Sequence, residues 1–141
     1  MIIVSACLVG MRTRYDGESK VDEKVQELVA QGKAIPLCPE QLGGLPTPRL
    51  PATIRGGSGE DVWEGRAVVV DSTGRDLTDA FCRGAMEVLR IAKLVNAEKI
   101  ILKARSPSCG VHTTSKDFSI AQGCGVCTAL LKREGFILEE R

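Results

Sequence analysis

Lys99-Ile100-Ile101-Leu102-Lys103 runs without a break into Ala104-Arg105-Ser106-Pro107-Ser108-Cys109-Gly110. The apolar run predicts a strand covered on both faces, as the central strands of parallel sheets are. The turn-forming residues behind it end that strand abruptly. The same strand-then-turn pattern occurs at Ile2-Ile3-Val4, ending in Ser5-Ala6-Cys7, and at Ala34-Ile35-Pro36-Leu37, ending in Cys38-Pro39-Glu40. Pro36 argues for an edge or irregular position, because it cannot donate to a ladder. Ala67-Val68-Val69-Val70 and Phe136-Ile137-Leu138-Glu139 read as further strands. Between them lie helical patterns. Asp22 to Gln31 places Val25, Leu28 and Val29 on one face and stops at Gly32. A second runs from N-cap candidates at Asp76–Asp79 to about Val95, with Phe81, Ala85, Val88, Leu89, Ala92 and Val95 as its core stripe. A third covers Val126 to Glu134, with Gly135 as its stop. Strands alternating with helices imply right-handed crossovers and an α/β fold with a mostly parallel sheet.

From Pro39 to Arg66, about 28 residues show neither period. Five of the six prolines fall between Pro36 and Pro51, which argues for a stiff, shaped segment. Gly56 to Gly59 is the better candidate for mobility. A length of 141 residues suits one domain. With 19 Lys+Arg against 18 Asp+Glu, the net charge of +1 gives no electrostatic footprint for nucleic acid or an anionic membrane. Aromatic residues at 4% leave little for a base-stacking platform. No apolar run approaches the ~20 residues that span a bilayer. The apolar N-terminus lacks the basic flank of a secretory signal. The expected location is therefore the cytoplasm, with no membrane partner and no nucleic-acid partner.

Six cysteines in a reducing compartment are buried hydrophobes, metal ligands or redox groups rather than disulfides. Cys7, Cys38 and Cys109 each follow a strand. In a parallel sheet the carboxyl ends of the strands open on one edge, where ligands bind. If those strands are adjacent, the three thiols converge. Converging thiolates suit a soft metal or an iron–sulfur cluster. Three ligands would leave an open coordination position able to take a substrate atom. Glu40 and Ser106 would lie beside it, as a proton carrier and a hydrogen-bonding hydroxyl. Three unrelated buried thiols, a turn acid and a capping serine satisfy the same spacing.

Six motifs in order carry a family resemblance: Ser5-Ala-Cys-Leu-Val-Gly10, Arg14-Tyr-Asp-Gly17, Cys38-Pro-Glu40, Gly43-Gly-Leu-Pro-Thr-Pro-Arg49, Ser106-Pro-Ser-Cys-Gly110 and Gly125-Val-Cys-Thr-Ala-Leu-Leu131. With these the chain resembles the thiouracil desulfidase (TudS-like) family over nearly its whole length. The resemblance implies one Rossmann-like, three-layer domain over residues 1–141 and a [4Fe–4S] cluster held by Cys7, Cys38 and Cys109. It implies hydrolytic removal of sulfur from thiolated pyrimidines, with the substrate sulfur binding the unique iron. Glu40 and Ser106 would be catalytic. The small-molecule substrate would be a free thiolated base, since the extra domain of relatives that act on thiolated tRNA is missing here. Arg14, Tyr15, Asp16, Arg49 and Ser108 are candidates for substrate contact, although a turn ending at Gly17 and an ion pair at Arg49 explain them equally.

Cys124-Gly-Val-Cys127 departs from the family pattern, which has threonine or serine where Cys127 stands. A C-x-x-C at a helix start is a candidate redox pair with depressed pKa, a candidate shuttle for sulfide from the cluster, or two buried small residues. Cys82 reads as core packing. His112, the only histidine, is a surface or structural residue unless it lines the site. Three rivals remain at this level: a zinc protein on the same three cysteines, a non-catalytic cluster-binding sensor, and a thiol-based sulfurtransferase using Cys124 and Cys127.

Overall fold

A computed structural model describes all residues, Met1–Arg141. Its main sheet is wholly parallel. Strands β1 (Ile2–Ser5), β2 (Ala34–Leu37), β5 (Lys99–Leu102) and β8 (Leu138–Glu140) lie in the order β2-β1-β5-β8. Pro36 falls on the edge strand, as its missing N–H requires. Side chains alternate between the two faces. Val4 and Ile101 pack with Leu8 and with Val25 of helix α1 (Glu23–Ala30) on one side. Ile3, Ile100 and Leu102 meet the long helix α4 (Thr78–Leu94) and helix α5 (Val126–Arg133) on the other. The result is a three-layer α/β arrangement. Asp22 caps α1 by accepting from the amides of Lys24 and Val25. The stripe expected on α4 is buried at Phe81, Ala85, Val88, Leu89 and Ala92. No helix is long and apolar enough to cross a membrane.

The stretch with no legible period is not structureless. It holds a one-turn helix α2 (Pro39–Leu42), strand β3 (Ala52–Arg55) and a short helix α3 (Gly59–Trp63). Strand β4 (Val68–Asp71) does not join the parallel sheet. It pairs antiparallel with β3 in a second, mixed sheet of order β4-β3-β6-β7. Strands β6 (Thr113–Lys116) and β7 (Ser119–Gln122) complete that sheet as a hairpin. β3, β6 and β7 lack the continuous apolar run that announces the equally short β1, β4 and β5. Gly56–Gly59 leads into α3, whose Ser58 and Asp61 form a capping box. The two sheets are tied together by α3 against α5, where Gly59 and Gly125 meet backbone to backbone, and by Trp63, which packs against both cores.

Candidate active site

The site begins at the carboxyl ends of three adjacent strands. β1 pairs in parallel with both β2 and β5, so the segments leaving those strands emerge side by side. After β1 the chain tightens into a 3-10 turn, Ala6–Val9, which carries Cys7. Gly10 closes the turn at φ 97°, a left-handed conformation that glycine adopts without strain. After β2, Cys38 is the N-cap of α2, with Pro39 at the first helical position. α2 lies close against α4 because Gly84 has no side chain. A Cβ there would overlap the carbonyl of Pro39.

After β5 the loop to Gly110 is built around Ser106. Its hydroxyl oxygen accepts from the amides of Ser108 and Cys109, each at 3.1 Å. The start of α5 holds the loop from behind. Val126 N donates to Pro107 O, Cys127 N to Ser108 O, and Thr128 Oγ1 to Cys109 O, all at 2.9 Å. Gly125 N donates to Gly110 O at 2.8 Å. Glu140 pins the next turn, accepting from the amides of Val111 at 2.7 Å and His112 at 2.8 Å. Burial opposes ionisation of Glu140. The amides of His112, Val111 and Thr113 outweigh it and hold the carboxyl below its usual range.

These segments enclose a cavity of about 500 Å³. Cys7, Cys38, Cys109, Glu40, Ser106, Ser108, Arg14, Tyr15 and Arg49 all line it. Asp16 does not; it pairs with Arg14 at 3.5 Å and accepts from the Glu18 amide. His112 is exposed and lies outside the lining. The three thiols are close enough to feel one another. Burial, then the neighbouring Cys38, pushes the Cys7 thiol up to about 11. Cys109 is pushed up to about 12, mainly by burial, against the hydroxyls of Ser108 and Ser5. Burial also raises Cys38, despite the N–H groups at the start of α2.

Glu40 is held at both oxygens. Arg49 Nε donates to Oε1 and Ser108 Oγ to Oε2, each at 3.0 Å. The pair is largely covered, with side-chain exposures of 8% for Arg49 and 12% for Glu40. Arg49 has little left for a substrate. Its remaining nitrogens donate to Thr13 O at 2.9 Å, Thr47 Oγ1 at 2.8 Å and Pro46 O at 3.1 Å. Hydrogen counting orients the serines. Ser106 Oγ already accepts two amides, so its proton goes to Ser108 Oγ, 3.0 Å away, and the Ser108 proton goes to Glu40.

Neither Cys124 nor Cys127 lines the cavity, although Cys127 packs in the same core cluster as Cys109. Cys127 is fully buried in the core with Ile3, Leu130 and Leu131, and burial raises its thiol far above the ordinary value. Burial and a hydrogen bond to Glu60 push Cys124 up to about 12. The depressed pKa of a redox pair, expected from the C-x-x-C spacing, is reversed by this apolar environment. The helix-start position contributes instead through its backbone, which cradles the Cys109 loop. Sequence reading missed Phe118, Ile120 and Ser115, which also line the cavity from the β6–β7 hairpin. The one signal for them was the turn pair Asp117-Phe118 between the short segments Thr113–Lys116 and Ser119–Gln122.

A parallel α/β sheet whose three adjacent strands deliver three thiols, a carboxylate and two hydroxyls to one cavity defines a thiol-lined site at the sheet's ligand-binding edge. The family model for 2-thiouracil desulfurase matches residues 2–140, and the chain belongs to that family. It is 45% identical over 139 residues to the uncharacterized protein YbbK of Bacillus subtilis (strain 168), covering 96% of this chain and 92% of that protein. A solved structure described as the [4Fe–4S]-dependent thiouracil desulfidase TudS superposes with a TM-score of 0.86 at 40% identity, covering 99% of this chain and 89% of that one.

Proposed function

We propose that this chain is a desulfidase that removes sulfur from thiolated pyrimidines by hydrolysis, in one domain spanning residues 1–141. The observation that carries the reading is the meeting of Cys7, Cys38 and Cys109 with Glu40 in one cavity. The donor set fits a [4Fe–4S] cluster. Converging thiols are the soft donors that iron–sulfur clusters take. The burial of Cys124 and Cys127 disfavours the sulfurtransferase rival. Cys7, Cys38 and Cys109 would hold the cluster and leave it a position for substrate.

When bound, the cluster supplies a soft Lewis-acidic iron that polarises a C=S group. The chain's own residues do the rest. Glu40, whose oxygens are fixed by Arg49 and Ser108, takes a proton from the attacking water and gives it up again as the sulfur departs, so that both water hydrogens end in hydrogen sulfide. The Ser106 and Ser108 hydroxyls pass hydrogen bonds toward Glu40 and fix the orientation of its carboxylate beside the reacting carbon. The reaction converts C=S and water to C=O and hydrogen sulfide, with no net electron transfer. Arg14 and Tyr15 line the cavity and are candidates for contact with the base.

Anaerobic reconstitution tests this reading. Iron and acid-labile sulfide should each reach about four per chain. The loaded protein should release sulfide from 2-thiouracil or 4-thiouracil. A loaded protein that releases none from any thiolated pyrimidine returns the chain to the sensor reading.

A further inference from the structure

Four residues other than glycine hold a left-handed backbone: Asn96, Arg105, Asp117 and Phe118. Asn and Asp tolerate that region, but a bulky aromatic there is an outlier. Phe118, at φ 61°, is the second residue of the two-residue turn between β6 and β7. Such turns favour Asp-Gly or Asn-Gly because both positions are left-handed. This chain has Asp117-Phe118. Packing does not repay the strain, since Phe118 is 47% exposed and belongs to none of the core clusters.

The turn is nonetheless fixed. The Phe118 amide donates to Thr53 Oγ1 at 2.9 Å, and the Asp117 amide to Ile54 O at 3.1 Å. Thr53 is itself buried and bonded to Ser115 Oγ at 2.8 Å. The held ring lines the cavity that contains the three thiols. Tyr15 and Phe118 are the only aromatic residues in that lining. Backbone strain that the fold over-determines at a cavity mouth marks a ligand-facing residue.

We infer that Phe118 is a substrate-binding residue whose ring stacks on the plane of the incoming thiolated pyrimidine. The inference rests on the desulfidase reading and adds a specificity element to it. A pyrimidine is flat and polarisable, and stacking on an aromatic side chain is worth about 1–3 kcal/mol per base, a factor of roughly 5 to 150 in binding. The penalty in the turn is thus set against affinity rather than stability.

That opposition gives the test, made on the cluster-loaded protein with 2-thiouracil. Phe118→Gly relaxes the turn, so the thermal midpoint should not fall. KM should rise roughly 5- to 150-fold while kcat changes little. Phe118→Trp should keep KM near wild type, and Phe118→Leu, apolar but not planar, should behave like the glycine variant. A KM unchanged in Phe118→Gly overturns the inference. So does a lowered midpoint, which would make Phe118 a packing residue. Wild-type protein that releases no sulfide from 2-thiouracil or any other thiolated pyrimidine overturns the desulfidase reading and the inference with it, whereas an active wild type beside an indifferent glycine variant overturns only the part given to Phe118.

Discussion

At the scale of single residues, the site turns on where Glu40 keeps its hydrogen bonds. Arg49 and Ser108 occupy one oxygen each, so the carboxylate has one orientation at the lining of the cavity. Glu40→Gln keeps the shape but cannot carry a proton. We expect the variant to bind iron and sulfide as the wild type does and to lose turnover by roughly 10²- to 10⁴-fold. Turnover equal to wild type would remove Glu40 from the chemistry. The sequence singled out Cys7, Cys38, Cys109, Glu40 and Ser106 because they follow predicted strands beside Pro or Gly and fall in the family motifs; spacing alone fits buried thiols, a turn acid and a capping serine equally. It left Arg49 divided between substrate contact and ion pairing. Only the spatial neighbour, nine residues back on α2, decided that. Asp16 was beyond its reach for the same reason, since a loop motif says nothing about which side chain turns inward.

Between residues and the whole lie the elements that carry the thiols. α2 has a single turn and could not hold Cys38 alone. It is seated on α4 through Gly84, where a Cβ would meet the Pro39 carbonyl. Gly84→Ala should therefore push α2 outward, cost about 1–3 kcal/mol as overpacking does, and lower the iron retained per chain. Chemical denaturation and iron analysis of the variant read both effects; undiminished iron would show that the seat of α2 does not govern Cys38. The loop after Cys109 depends on Glu140 at the far end of the chain. Its carboxyl is held below the usual range in the folded protein. A group depressed in this way stabilises above its unfolded pKa, and that contribution is lost as pH falls through the folded value. Urea midpoints taken from pH 7 down to pH 3 should fall less steeply for Glu140→Gln than for wild type, and the variant should start lower at pH 7. Parallel curves would show that the amides of Val111, His112 and Thr113 find other partners. None of this was visible in the sequence, where Glu140 is one acid among several near the C-terminus.

For the whole molecule, three loops that share no sequence neighbourhood enclose one cavity because their strands are adjacent in the order β2-β1-β5. A cluster bound across all three would tie them together and bind only the folded chain, so its free energy adds to stability. Removing it with an iron chelator under reducing conditions should lower the thermal midpoint, and Cys7→Ser should abolish the difference between loaded and stripped protein. Equal midpoints before and after chelation would show that the loops hold their arrangement unaided. The sequence by itself determined the parallel sheet, its three long helices and the thiols at the strand ends. Hydrophobic periodicity and turn chemistry are local, and elements of eight to seventeen residues repeat their pattern often enough to be read. Tertiary structure alone decided the second sheet, the seat of α2, the pairing of Arg49 with Glu40 and the approach of the β6–β7 hairpin to the cavity. β6 and β7 are mostly polar and show no apolar run, unlike the equally short β1 and β5. The pairing of β6 with β3 is rewarded by contacts with chain tens of residues away, which no local pattern encodes.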